Sequence, residues 1–399
     1  MDTSSIVQRY INDTIVETAP PPPPPLPPHQ IPVPQDSLKH VDQFLDHSHL
    51  KPGKDASLLS YAQTIAMYRD SVKRTHNPDL QCDFAVFMIE TNKQEFVAEA
   101  EKILKQLSIK GHAGAQYQLG LLSTTGVTSK KGKPELDKAF SLFVQASKHL
   151  HADAALKAGQ CYEEGLGCRI NGTKAIQFYK KAASQSHPDA MYRIGSAYMK
   201  GELGLSKSPK ESVKWYGRAA EASSADALYQ LANLHISGIP NIVFIDHAYA
   251  ISLLAQAADM THAPSAFQLG ECYEYNKLNC HADPAFSIHY YTIAAEQGHK
   301  EACFALTAWY LVGSADLLPQ SDTKAYLWAK RAADKKLPKA EYAVGYFSEV
   351  GIGCQKDPAE ALIWYTAAAE HGDPRAVQRL QGKPVNETTE KKKDDCIIM

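Results

Sequence analysis

Four residues of this sequence fit a covalent modification by type and order alone: Cys396-Ile397-Ile398-Met399. A cysteine, two aliphatic residues and a methionine make a C-a-a-X box, whose thiol accepts an isoprenoid. Methionine in the last place favours farnesyl over geranylgeranyl. On this reading Cys396 is the S-farnesyl cysteine, and Ile397, Ile398 and Met399 are trimmed away. A chain that otherwise reads as soluble then becomes a peripheral membrane protein.

A second candidate is the run Pro20, Pro21, Pro22, Pro23, Pro24 and Pro25, followed by Leu26-Pro27-Pro28. Consecutive prolines fix φ and remove donors, so the run is expected as polyproline II. Such a helix is a docking site for an SH3, WW or EVH1 domain or for profilin. It is equally a stiff spacer, and the residues leave both readings open.

The remaining reactive residue types form no constellation. Cys161 and Cys272 fall two residues after Gly159 and Gly270, a matched placement that reads as packing. Cys272, Cys280 and His281 lack the C-x-x-C or H-x-x-x-H spacing of a zinc site. Gly165-Leu166-Gly167 and Gly351-Ile352-Gly353 lack the Gly-Lys-Ser/Thr that completes a phosphate loop. Neither a His-Glu-x-x-His, a Gly-x-Ser-x-Gly nor a kinase set is present. The expectation is a protein that is not an enzyme, with no metal and no cofactor.

Bulk composition narrows the partners. A formal net charge of −2 gives no electrostatic pull toward nucleic acid, so none is expected as a partner. No apolar run approaches the length of a membrane span. Met1-Asp2-Thr3-Ser4-Ser5 lacks a basic and an apolar signal region, and Asp2 excludes myristoylation. The eight cysteines then read as reduced thiols of a cytosolic chain.

The elements that position these residues come from a repeat. A small residue closes an Ala-x-x-x-Leu-Gly-like stretch at Gly120, Gly159, Gly195, Ala232, Gly270, Thr307 and Gly345, at spacings of 36 to 39. A pair of small residues recurs in step, at Ala146-Ser147, Ala182-Ala183, Ala219-Ala220, Ala257-Ala258, Ala294-Ala295, Ala332-Ala333 and Ala368-Ala369. Each unit reads as two helices. Pro188 suits a first turn, and Ala190, Ile194 and Tyr198 recur at helical spacing before Gly201. Ser208-Pro209-Lys210-Glu211 reads as a capping box, and Asp357-Pro358-Ala359-Glu360 repeats it. Four residues before each small pair stand Leu142, Phe178, Trp215, Leu253, Tyr290, Trp328 and Trp364, which are expected to fill the core. The histidines His112, His151, His187 and His299 fall near the starts of first helices, a regular placement that favours a structural or surface role.

The fold class is therefore all-α, an α-solenoid of helix pairs. The expected boundaries are a disordered proline-rich head over 1–36, a helical lead-in over 37–69, repeats over 70–380, and a flexible tail over 381–399 carrying the box.

Ala190-Met191-Tyr192-Arg193-Ile194-Gly195, Lys214-Trp215-Tyr216-Gly217-Arg218-Ala219-Ala220 and Cys161-Tyr162-Glu163-Glu164-Gly165-Leu166-Gly167 resemble the Sel-type repeat family, a relative of tetratricopeptide repeats. With the proline-rich head, the lead-in Tyr68-Arg69-Asp70 and the terminal box, the chain looks like fungal chitin synthase regulatory factors. The resemblance implies a non-enzymatic scaffold that activates or localises a membrane chitin synthase for septum and cell-wall synthesis. It implies residence at the cytoplasmic face of the plasma membrane, at the division septum or bud neck, with a cytosolic pool. A membrane-tethered adaptor for protein quality control or signalling is the alternative. The chain departs from the repeat pattern at Gly238-Ile239-Pro240-Asn241-Ile242-Val243-Phe244 and at Tyr275-Asn276-Lys277-Leu278-Asn279-Cys280, where a Gly-x-Gly turn is usual.

Overall fold

A computed structural model describes residues 61–75, 77–91, 94–127, 132–314 and 317–381. The expected proline-rich head, most of the lead-in, and nearly all of the tail lie outside the described residues. The chain divides into two units, Met1–Thr64 and Ile65–Met399. Only Tyr61–Thr64 of the first unit is described.

Among the described residues there are eighteen α-helices and no strand. A lead helix, α1 (Tyr61–Thr75), crosses the expected 69/70 boundary. Eight helix pairs follow. They are α2–α3 (Pro78–Glu90, Gln94–Ile109), α4–α5 (Ala113–Thr125, Leu136–Lys148), α6–α7 (Ala152–Glu164, Gly172–Ala183) and α8–α9 (Pro188–Lys200, Pro209–Glu221). Then come α10–α11 (Ala225–Ser237, His247–Asp259), α12–α13 (Ala263–Glu274, Pro284–Glu296), α14–α15 (Lys300–Val312, Asp322–Ala333) and α16–α17 (Pro338–Val350, Pro358–Glu370). A short α18 (Pro374–Leu380) begins one more unit. This is the α-solenoid that the repeat spacing predicts.

Each pair is held by a notch and a ring. A Cβ at Gly120, Gly159, Gly195, Gly270 or Gly345 would run into the ring of Phe143, Tyr179, Tyr216, Tyr291 or Tyr365. The glycine lets the second helix bring an aromatic ring onto the backbone of the first. Where the notch is Ala232, the ring position holds Leu254; where it is Thr307, it holds Ala329. The two positions trade volume, as close packing requires.

These rings stand three residues before the small pair, and the expectation placed them four before. Leu142 and Leu253 are buried there, but Phe178, Trp215, Tyr290, Trp328 and Trp364 are only half-buried. Arg218 lies 5.0 Å from the Trp215 ring and Arg331 lies 4.6 Å from the Trp328 ring. These tryptophans pack against the edge of the core on one side and meet an arginine by cation–π contact on the other.

Several turns within pairs open on a left-handed glycine. Gly165 (φ 77°), Gly201 (φ 77°) and Gly351 (φ 91°) end their first helices. A Cβ on Gly167 or Gly353 would strike the carbonyl of Leu136 or Asp322, where the preceding pair's second helix starts. Thus the second glycine of each Gly-x-Gly seats one repeat on the next. The expected capping box at Ser208 does not form: its side chain makes no capping bond, and Glu211 pairs with Lys214 at 2.8 Å. At Asp357 the cap is present, accepting from the N–H groups of Ala359 and Glu360.

Turns between pairs share one device, a left-handed residue directly before the next N-cap. It is glycine at Gly111, Gly298 and Gly372, but Leu150, Ser186, Ser223, Thr261 and Lys336 elsewhere. A β-branched side chain at positive φ is strained. Replacing Thr261 with glycine is expected to raise stability by roughly 1 kcal/mol, the cost of a left-handed residue that carries a Cβ. Denaturant unfolding checks this, and a loss of stability would contradict the strain.

Candidate interaction surface

The first helices of successive repeats carry matched side chains along one row. His112, His151, His262 and His299 are N-caps whose Nδ1 accepts the N–H of Ala115, Ala154, Ser265 and Ala302, at 3.1 to 3.3 Å. With Nδ1 accepting, the ring proton sits on Nε2. Nε2 of His112 meets Asp79 at 2.8 Å, and that of His262 meets Asp226 at 3.3 Å. His187 is an N-cap without a side-chain cap bond, yet its Nε2 reaches Asp153 at 3.1 Å. Each clasp ties a first helix to the first helix of the preceding repeat.

Three residues before the notch stand Tyr117, Leu156, Tyr192, Tyr229, Phe267, Phe304 and Tyr342, one per repeat. The six aromatics are half-buried. Tyr117 stacks on His151 at 4.7 Å and Phe267 on His299 at 4.6 Å. Amides lie beside them: Gln268 Nε2 donates to Asn233 Oδ1 at 3.3 Å. At the N-terminal end of the row a groove of about 590 Å³ is lined by Asp79, Cys82, Asp83, His112, Gln118 and His151, among others. Half-exposed aromatic faces, amides and carboxylates suit apolar contact and hydrogen bonding to a polypeptide.

A second set of contacts locks pairs together. Tyr179, Tyr291 and Tyr365 each donate to Glu163, Glu274 or Glu349 at 2.6 Å. Arg193 bonds Glu163 and Glu202, and Arg379 bonds Glu349 at 2.7 Å. Burial raises the Glu163 and Glu349 carboxyls, but these hydrogen bonds outweigh it and the net shift is downward. Burial lowers His151 and His299 below the ordinary 6.5, against the pull of Asp153 and Glu301.

The unfolded chain therefore binds more protons than the folded one in two windows. Stability present above pH 6.5 is lost as pH falls through the lowered histidine values. Stability present above pH 4.5 is lost as pH falls through the lowered carboxyl values. Thermal midpoints measured against pH are expected to fall in both windows. A midpoint that stays flat across them would contradict the burial of the His151 and His299 caps and the carboxylate locks.

Burial pushes the thiols of Cys82 and Cys161 up to about 11 and that of Cys272 to about 12. Thiols raised so far are poor nucleophiles near neutral pH. Cys161 and Cys272 are buried at their matched repeat position, as their spacing predicts. His262 and the aromatic row escaped the sequence reading; the signal was the position three before each notch residue. Cys396, the trimmed Ile397, Ile398 and Met399, and Pro20 to Pro25 lie outside the described residues.

Seven consecutive stretches, 113–149, 152–187, 188–224, 225–262, 263–299, 300–337 and 338–373, match the Sel1 repeat. The chain belongs to the Sel1 repeat family. Its Sel1 repeats begin at the first helices, five of which have histidine at the N-cap and the others Ser224 and Leu337, and end at the turn before the next. Among curated proteins the chain is 50% identical over 361 residues to the Chitin synthase regulator SKT5 of Malassezia restricta, covering 85% of this chain and 25% of that protein. It is 35% identical over 384 residues to the Chitin synthase regulator SKT5 of Saccharomyces cerevisiae, covering 89% of this chain and 55% of that protein. The chain thus spans between a quarter and about half of the length of these relatives. Of solved structures, a Sel1 repeat protein from Oxalobacter formigenes aligns with a TM-score of 0.56 at 22% identity, covering 85% of this chain and 99% of that one. A protective antigen of uropathogenic Escherichia coli with an SLR fold aligns with a TM-score of 0.58 at 21% identity, covering 80% and 66%. At these identities the two structures speak for the fold alone. None of the described helices is long and apolar enough to cross a membrane.

Proposed function

We propose that this chain is a regulatory scaffold of a membrane chitin synthase, which it activates or localises for septum and cell-wall synthesis. The Sel1 repeats and the regulator names of its relatives indicate a protein that is not itself catalytic. The observation that carries the reading is sequence identity running through nearly the whole repeat array to proteins named as chitin synthase regulators. The aromatic and amide row supplies a surface suited to the cytosolic parts of such an enzyme. The repeat array immobilised on resin is expected to retain chitin synthase from detergent-solubilised fungal membrane. Tyr229→Ala with Phe267→Ala should reduce retention, and deletion of the protein in cells should lower or misplace septal chitin. Unchanged septal chitin and synthase position in deletion cells would end the reading.

A second reading, a membrane-tethered adaptor in signalling or quality control, draws support from one observation. The chain is 30% identical over 275 residues, 53% of this chain and 44% of that protein, to the Activator of C kinase protein 1 of Saccharomyces cerevisiae. Under it, deletion cells keep normal chitin.

Attachment to the cytoplasmic face of the plasma membrane belongs to the same proposal. The Cys396 thiolate displaces diphosphate from farnesyl diphosphate, forming the thioether. One such chain gives only marginal, reversible membrane binding. Lys391-Lys392-Lys393 adds little, because Glu387, Glu390, Asp394 and Asp395 flank it. The lipid and the enzyme therefore act together, each raising the effective concentration of the other. Cys396→Ser should weaken localisation at the septum or bud neck, enlarge the cytosolic pool, and leave a residue of binding where the enzyme is present. Unchanged localisation would make the box dispensable. Profilin or an SH3, WW or EVH1 domain remains the proposed partner class of Pro20 to Pro25, and a titration with the synthetic proline segment tests it.

A further inference from the structure

Among the described residues, core positions at the C-terminal end of the array are left uncovered. Leu362 on α17 is 57% exposed and Leu380 on α18 is 40% exposed. The positions equivalent to Leu380 are Leu119, Ala158, Ile194, Leu231, Leu269, Leu306 and Val344, and all are buried. Those equivalent to Leu362 include Ile176 and Tyr326, buried, and Val213, Ile251 and Ile288, packed against the core. Val377 is likewise exposed, where its counterparts from Gln116 to Glu341 are all buried. Each earlier repeat covers these positions with the repeat that follows. Residues 381–399 contain no further repeat pattern.

We propose that this face is a docking site for the chain's own lipidated Cys396, which stows its isoprenoid against α17 and α18 when the protein is off the membrane. The inference rests on the lipidation reading above. Three observations select this occupant. The chain leaves the array at the face itself, so the tail is held at high effective concentration. Cys396 lies sixteen residues beyond Leu380, ample slack for a return. Between Pro384 and Cys396 the tail's only apolar residue is Val385, so cover from the tail must come from its far end. The isoprenoid offers the branched apolar surface that a missing repeat would have supplied. Sheltering makes only a fraction of the molecules competent for membrane, which lowers apparent affinity by that fraction.

The full chain is treated with protein farnesyltransferase and farnesyl diphosphate, and the mass gain is confirmed. Amide hydrogen exchange over α17 and α18 is then compared between unmodified and farnesylated chains, with no substitution needed. About tenfold slower exchange in the farnesylated form is expected. Binding to phosphatidylcholine vesicles should rise about tenfold for farnesylated Leu362→Glu with Leu380→Glu, because the lipid is released. A full mass gain with unchanged exchange overturns the docking and leaves the lipidation reading standing. No mass gain overturns both. Protection that vanishes on dilution, with a dimer in sedimentation, would assign the face to a second copy and overturn the proposal.

Discussion

Tyr291→Ala is expected to lower stability by about 3–5 kcal/mol, the range for an aromatic ring lost from a packed core. Tyr291 is buried, its ring fills the notch over Gly270, and its hydroxyl donates to Glu274. Tyr291→Phe separates the two contributions. It keeps the ring and loses a hydrogen bond to a carboxylate, about 1.5–3 kcal/mol. Gly270→Ala attacks the same contact from the other side, since its Cβ would enter the ring. The fourth repeat suggests the rescue, because it pairs Ala232 with Leu254. Gly270→Ala with Tyr291→Leu should be more stable than Gly270→Ala alone. Denaturant unfolding of Gly270→Ala, Tyr291→Leu and the double variant decides the matter, and additive losses in the double variant would refute the exchange of volume. The loss should fall mainly on repeats next to the site, since units contact chiefly their neighbours.

Gly353→Ala should cost about 2–4 kcal/mol, combining left-handed strain with overpacking. Gly353 has φ 68°, and an added Cβ would strike the Asp322 carbonyl, which is backbone and cannot swing aside. Gly372→Ala is the control. Its φ is 94°, and an added Cβ meets nothing within 4 Å. It should show the strain alone, about 1–2 kcal/mol. Equal losses at the two sites would mean that Gly353 does not seat one repeat on the next.

Much of the architecture was legible because two small-residue anchors kept step through seven units. Helix pairs, their left-handed glycine ends, and the packed Cys161 and Cys272 followed from that spacing. The ring position did not. Adjacent residues such as Trp215 and Tyr216 are both large and apolar, and helical periodicity alone does not say which turns inward. The notch decides it, through the space a missing Cβ leaves. Ser208 failed for a different reason: a box readable in sequence competes with other partners, and Glu211 has Lys214 one turn along. The histidine clasps were half legible. Their regular placement marked a structural role, but the aspartates they reach lie 33 to 36 residues away, beyond any local pattern.

The left-handed residue before the N-cap of each repeat's first helix makes every junction between repeats geometrically interchangeable. Length in this protein is therefore counted in whole units, like links in a chain. Excising 225–262 would join Ser224 to Ala263, restoring a capping residue after a left-handed one. The aromatic row would shorten by one rung without losing phase. Removing half as much would place a second helix where a first helix belongs and turn every later rung away. Partners that read several rungs at once thus meet a ruler whose only permitted error is one full division.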